Sequence, residues 1–199
     1  MLIIISGSSG SGKNTIIKEL MKRNKNLSFL KSCTTRKKRK GEAEDSYIFL
    51  TKENFDKMLK SGEICEHEEI HQNFYGLSKS SLDEVVASDS DNHHFIKDVG
   101  VLGQKNLVRV LKDKVNVLSI FLTVPKEELI KRLQIRGEPD IDLRISRMEF
   151  EESYKGNFDE IINNIDINKT TKKIQKLIKK AEKINKKNKK LKNKNKNKF

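Results

Sequence analysis

The sequence predicts an α/β protein built on a parallel sheet with helices on both faces. Three observations lead there. An apolar strand, Leu2–Ser6, runs directly into a glycine-rich loop and then a helix. Short apolar runs alternate with amphipathic stretches along most of the chain, as a sheet wrapped by helices requires. The excess positive charge, +14 in all, falls mostly in the last stretch and leaves the body nearly balanced.

The elements follow in order. Leu2–Ser6 is the first strand. Asn14–Arg23 is a helix, with Ile16, Ile17, Leu20 and Met21 on one side. Ser28–Cys33 and Tyr47–Leu50 read as strands, and Lys52–Lys60 as a helix with Phe55 and Leu59 one turn apart. Glu63–Ile70 is a further strand and Lys79–Ala87 a helix. Ser88–Asn92 is a polar loop. His94–Val99 and Val115–Val124 read as buried strands around a helix near Gly103–Lys112. Helices are expected at Lys126–Ile135 and Asp140–Tyr154, a short strand at Glu160–Asn163, and a last helix from about Lys169.

Composition excludes several classes. Gly and Pro are too few for collagen, and two cysteines cannot form a disulfide scaffold. The apolar runs are too short for a membrane span. The N-terminus has no basic segment before an apolar one, so it reads as a strand and not a signal peptide. A reducing cytoplasm is the expected setting. Residues 179–199 hold eleven Lys and one Glu, a net +10, which leaves +4 for residues 1–178. This Lys/Asn-rich tail is expected to be disordered. It reads as compositional drift more than as a binding element, because no aromatic precedes Phe199 to stack on bases. Weak contact with nucleic acid or anionic surfaces is the alternative.

The loop after the first strand is Gly7-Ser8-Ser9-Gly10-Ser11-Gly12-Lys13-Asn14-Thr15. This is G-x-x-x-x-G-K in the strand–loop–helix context that the phosphate-binding loop needs. The glycines let successive N–H groups turn inward on an anion, and the helix adds its positive end. Lys13 would reach the outer phosphates of a nucleoside triphosphate. The sheet is therefore expected to be of the P-loop NTPase type. Asn14 stands where Ser or Thr usually meets Mg²⁺; its carbonyl oxygen would serve directly or through water.

A second basic cluster follows, Ser32-Cys33-Thr34-Thr35-Arg36-Lys37-Lys38-Arg39-Lys40-Gly41-Glu42. Arginine forks suit bidentate phosphate contacts. This segment resembles the nucleoside-monophosphate motif of the guanylate kinase family. The resemblance continues through Tyr47 and Phe49, Glu66, Asn73–Gly76, Lys131–Gly137, Arg147, and Asn164 with Asp166. It covers roughly residues 2–178.

The resemblance implies a small mixed NMP-binding subdomain over about 32–87 and a helical lid over about 126–155. The core would comprise 1–31, 93–125 and 156–178. It also implies roles. Ser32, Arg36, Arg39, Tyr47 and Tyr75 would clamp the GMP phosphate. Glu66 would accept from the guanine N1–H and 2-amino donors. Glu42 would order the loop or its metal waters. Arg132, Arg136 and Arg147 would close over the triphosphate, and Asn164 would lie near the adenine. Lys13, Arg36, Arg136 and Arg147 would carry the charge stabilisation of the transfer.

Two positions depart from the family pattern. Leu77 stands where Ser or Thr usually follows Tyr-Gly and helps read the guanine; Ser78 is one residue later. Of two acids that the family sets two residues apart, Asp98 matches the first and Gly100 replaces the second, which supports the guanine and the metal site.

The resemblance implies transfer of the γ-phosphoryl group of ATP to GMP or dGMP, with Mg²⁺, in a monomer or homodimer. Two alternatives stand beside it. One is a nucleoside monophosphate kinase of altered base specificity. The other is a non-catalytic guanylate-kinase-like binding module, against which Gly7, Gly12 and Lys13 all argue. A metal site from Cys65, His67 and His71 is a weaker reading, since structural zinc needs four ligands.

Overall fold

The computed structural model describes residues 1–38, 42, 46–70, 72–88, 93–112, 114–137 and 141–196. Its centre is β1 (Leu2–Ser6), apolar at nearly every position because both faces are covered. Ile3 and Ile5 face α1 (Lys13–Arg23) and the final helix, packing with Ile16, Leu20, Ile174 and Ile178. Leu2 and Ile4 face the other way, toward Leu107 and Leu111 of α4 (Val101–Leu111) and Leu82 and Val85 of α3 (Lys79–Ala87). Strand period two thus divides one continuous apolar run between two cores.

The main sheet has five strands in the order β2-β7-β1-β8-β9. These are β2 (Leu27–Phe29), β7 (His94–Asp98), β8 (Val117–Thr123) and β9 (Glu160–Asn163) around β1, all parallel. The ends of β1, β7 and β8 open on one edge, where ligands of such sheets bind.

The second sheet has four strands in the order β4-β3-β6-β5. β3 (Cys33–Thr34) and β4 (Ile48–Phe49) run parallel, and β5 (Ile64–Ile70) and β6 (Asn73–Ser78) form an antiparallel hairpin. α2 (Lys52–Lys60) covers it with Phe55, which packs on Cys33 and Ile64. Alternation in β5 turns Ile64, Glu66 and Glu68 inward and Cys65 and His67 outward. The cysteine and histidine of the weaker metal reading therefore leave the strand on the face opposite Glu66. His71 and residues 89–92 of the polar loop lie outside the described residues.

Three features differ from the sequence expectation. The predicted strand Ser28–Cys33 is divided: Leu30 N–H bonds Ile96 O in the main sheet, while Ser32 O accepts from Ile48 in the small one. The chain changes sheets between them. β6 was not expected as a strand, because Gly76 and the polar residues around it break the apolar alternation. The last helix, α7 (Ile167–Lys196), continues where disorder was expected from Lys179. Its packing extends through Ala181, and Glu182 pairs with His94 at 2.9 Å. Beyond that point no Gly or Pro interrupts the sequence up to Lys196, and Lys is a good helix former.

The remaining helices, α5 (Lys126–Ile135) and α6 (Ile141–Ser153), meet through Leu129, Leu133 and Met148. Gly137, at φ +64°, breaks the chain direction between them.

Candidate active site

A cleft of about 500 Å³ joins the two sheets and the α5–α6 pair. Its floor is the loop between β1 and α1. Gly7 holds φ +137°, and a Cβ there would overlap Leu122 O; Gly12 holds φ +92°, and a Cβ there would lie 2.5 Å from Asn164 Nδ2. Both positions require glycine twice over, for backbone angle and for space. Lys13 Nζ donates to Gly7 O and Ser8 O, which draws the ammonium back over the loop. A Cβ at Gly10 would lie 3.4 Å from Leu133 and 3.5 Å from Leu129, so α5 comes close over the loop. Gly7, Ser9, Gly10, Gly12, Lys13, Asn14 and Thr15 line the cleft, whereas Ser8 and Ser11 are buried behind it.

Asn164, buried after β9, donates from Nδ2 to Ser11 O at 2.7 Å. Arg132 donates to Asn164 O at 3.2 Å and to Glu128 at 2.8 Å. Above the loop, Arg136 and Arg144 both donate to Ser9 Oγ, at 3.1 and 2.8 Å. Two guanidiniums thus converge on the loop from separate helices.

Across the cleft, Arg36 donates to Glu42 at 2.7 Å and lies over the Tyr47 ring at 5.3 Å. Tyr47 and Tyr75 meet edge to face at 6.0 Å, and Tyr47 donates to Asp98 at 3.1 Å. Burial pushes the Tyr47 phenol well up, so it stays a donor. Arg39 lies outside the described residues.

At the deep end sit Ser32, Glu66, Glu68 and Lys97. Lys97 is fully buried on β7 and donates to Ser32 Oγ. Burial lowers its pKa, opposed by the Asp98 and Glu66 carboxylates. Burial raises Glu66 to about 7; Lys97 opposes that shift and Glu68 adds to it. Glu66 Oε1 is buried without a partner in the described structure. Such an atom calls for a donor from water or a ligand. Glu68 accepts from Gly103 N–H at 3.0 Å and from Arg147 Nη2 at 2.8 Å. Arg147 therefore links α6 to the acidic end of the cleft.

A phosphate loop facing an Arg/Tyr cluster, with arginines between, describes a nucleotide kinase. Comparison with known proteins identifies which. The sequence model of the family "Guanylate kinase" matches residues 1–181.

The chain belongs to the guanylate kinase family.

It is 38% identical over 178 residues to the guanylate kinase of Prochlorococcus marinus, covering 87% of this chain and 94% of that protein. It is 36% identical over 178 residues to that of Chlorobaculum tepidum, with 87% and 89% covered. The crystal structure of guanylate kinase from Anaplasma phagocytophilum superposes with a TM-score of 0.70 at 27% identity, over 90% of this chain and 84% of that one. The chain is accordingly a nucleotide-binding phosphotransferase of this family. Among the described residues, no helix is long and apolar enough to cross a membrane.

Within this guanylate kinase family member, the cleft gathers the expected Lys13, Asn14, Ser32, Arg36, Glu42, Tyr47, Glu66, Tyr75, Asp98, Arg132, Arg136, Arg147 and Asn164. The charged lining residues Glu68, Lys97, Arg144 and Glu151 escaped the sequence reading. Glu68 had a signal, since two residues beyond Glu66 on a strand is the same face. Lys97 and Arg144 had none beyond their charge. Leu77 turns its side chain into the core with Leu2 and Phe95. Ser78 caps α3, its Oγ accepting from Ser81 N–H.

Proposed function

We propose that the protein transfers the γ-phosphoryl group of ATP to GMP, and to dGMP, giving ADP and the corresponding diphosphate. The carrying observation is one continuous cleft with a phosphate loop at one end and the Arg36–Tyr47–Tyr75 cluster at the other. ATP would lie along Gly7–Thr15, with its base toward Asn164. Its phosphates would replace Gly7 O and Ser8 O as the acceptors of Lys13. GMP would place its phosphate at Arg36, Tyr47 and Tyr75, with Arg39 and Glu42 on the same segment, and its guanine donors at Glu66. Ser32 would join the phosphate clamp, and Asp98 would lie between that clamp and the base.

The acceptor is already a phosphate oxygen, so no side-chain base is required. Catalysis then comes from alignment and from charge around the transferred group. Lys13 and Arg36 stand on opposite sides of that group; Arg136 and Arg147 approach from α5 and α6, and Arg144 joins them. Closure of these helices about Gly137 would exclude water that otherwise hydrolyses ATP.

Mg²⁺ fits this site modestly. Asn14 and Thr15 are exposed to the cleft and offer neutral hard oxygens. Among the described residues, no three His, Cys, Asp or Glu side chains group as a protein-only metal site. The ion would be held mainly by phosphates and water, with Asn14 as the protein ligand, and would neutralise charge on the outer phosphates.

A second reading, altered base choice, rests on Leu77 being in the core and on Gly100 carrying no acid. A cytoplasmic setting belongs to the proposal, in keeping with two unpaired cysteines. A coupled assay for ADP with purified protein, ATP and Mg²⁺ tests the transfer. ADP formation should require GMP or dGMP. No ADP with any monophosphate would refute it.

A further inference from the structure

Position 100 is where the family pattern asks for a second acid and this chain has glycine. The backbone there does not need one: Gly100 has φ −68°, which any residue adopts. What it needs is space. A Cβ at Gly100 would overlap the Glu68 carboxylate, lying 2.7 Å from both Cδ and Oε1 and closer still to Oε2. The volume of a side chain at 100 is already filled by a carboxylate arriving from β5.

That carboxylate is fixed. Oε2 accepts from Gly103 N–H at 3.0 Å, and Oε1 from Arg147 at 2.8 Å. Its side chain is 6% exposed. It also stands beside Glu66: a Cβ on Gly103 would meet Glu66 Oε1 at 3.0 Å and Glu68 Oε2 at 3.3 Å. Two acidic groups therefore converge on the first turn of α4, inside the cleft. One of them, Glu66 Oε1, is buried and unpartnered.

We propose that Glu68 supplies from β5 the acidic group that position 100 lacks, and that the Glu66–Glu68 pair reads the 2-amino group of guanine. The guanine edge carries three N–H hydrogens, one on N1 and two on the 2-amino group; Glu66 can accept from N1–H and one amino hydrogen, which leaves the outer amino hydrogen for Glu68. Through Arg147, the same Glu68 ties base seating to the closing helix α6. The inference rests on GMP as the acceptor and adds the residue that selects it.

The test is an exchange of positions. Steady-state kcat/KM is measured for GMP and for IMP, which lacks the 2-amino group, in the wild type, Glu68→Ala, Glu68→Gln, Gly100→Asp and the double variant Glu68→Ala/Gly100→Asp. Wild-type protein inactive on GMP would overturn the proposed function; the inference is tested by the GMP/IMP ratio of an active wild type. Glu68→Ala should lower that ratio about 10- to 100-fold, the usual loss for an unpaired buried donor. Gly100→Asp alone should impair the enzyme by collision with Glu68. The double variant should recover most of the ratio. Glu68→Gln keeps the volume and serves if the alanine variant melts. A GMP/IMP ratio unchanged in folded Glu68→Ala or Glu68→Gln, or not recovered in a folded double variant, would overturn the inference.

Discussion

The two ends of the cleft are built by different means. At the proposed ATP end, backbone decides the shape: Gly7 and Gly12 hold positive φ angles, and the loop's N–H groups would form the anion site. Little substitution is tolerated, and G-x-x-x-x-G-K is complete, with Asn14 in place of the Ser or Thr that usually follows. At the proposed guanine end, the side chains of Ser32, of Glu66 and Glu68 on β5 and of Lys97 and Asp98 on β7 meet in space beside the first turn of α4, and such a side chain can be replaced by a neighbour that reaches the same point. There the resemblance to the family motifs lapses at Leu77 and Gly100, and Glu68 and Lys97 line the cleft. A backbone-built site is fixed by local sequence. A side-chain-built site can be rearranged while its chemistry persists.

That contrast can be broken most severely at Lys13. Lys13→Met should reduce kcat by about 10³-fold, as loss of a positioned charge does. Its melting temperature should stay within a few degrees, since the half-buried Lys13 side chain lines an open cleft and is not part of a packed core. A mild loss would mean the ATP end is not organised around this ammonium.

Glu66→Gln should come next, lowering kcat/KM for GMP by about 10- to 100-fold with KM for ATP little changed. It also carries a pH signature. Burial raises the Glu66 pKa to about 7 from 4.5. In the free enzyme kcat/KM for GMP should rise through about pH 7 as the carboxylate forms, and the Gln variant should lose that inflection. The stability consequence has a definite sign. The folded-state pKa lies above the unfolded one, so this group's contribution is full below about pH 4.5. It is lost as pH rises to about 7, a cost on the order of 3 kcal/mol. Glu66→Gln should therefore melt higher than the wild type at pH 8 and close to it at pH 4.5. Equal melting differences at both pH values would refute the assignment.

Arg144→Ala should be smaller, about 10-fold in kcat/KM for ATP, because Arg136 also reaches Ser9. An effect no larger than twofold would show Arg144 to be a bystander. Smallest is the tail. A chain ending at Glu182 keeps Ile174, Ile178 and the His94 pair, and its kcat and KM should match the full chain. Ending it at Lys180 removes the Glu182 partner of His94 and should lower the melting point by a few degrees. RNA binding with a steep salt dependence, lost on truncation at Glu182, would give the tail a role of its own.

The same contrast explains what the sequence could and could not reveal. The phosphate loop, the alternating strands and helices, and the Arg36 segment are local patterns, and each was legible. Glu68 was legible in principle from strand period alone. Lys97 was not: a lysine inside an apolar strand gives no hint that it will be wholly buried against Ser32, Glu66 and Asp98. Arg144 is one of many charges on α6, and only the approach of that helix to Ser9 selects it. The break between β2 and β3 depends on which sheet claims each end, a tertiary decision. Helix α7 exceeds its expected end because a buried first half and an uninterrupted Lys-rich second half share one direction.

The claim that a rearranged guanine end still selects guanine is tested most directly by kcat/KM for GMP, dGMP, IMP, AMP, CMP, UMP and dTMP measured side by side with ATP and Mg²⁺. GMP should exceed AMP by at least about 10³-fold, since adenine offers no donor pair to the carboxylates at Glu66 and Glu68. A preference for any base other than guanine, or comparable rates across the set, would contradict it.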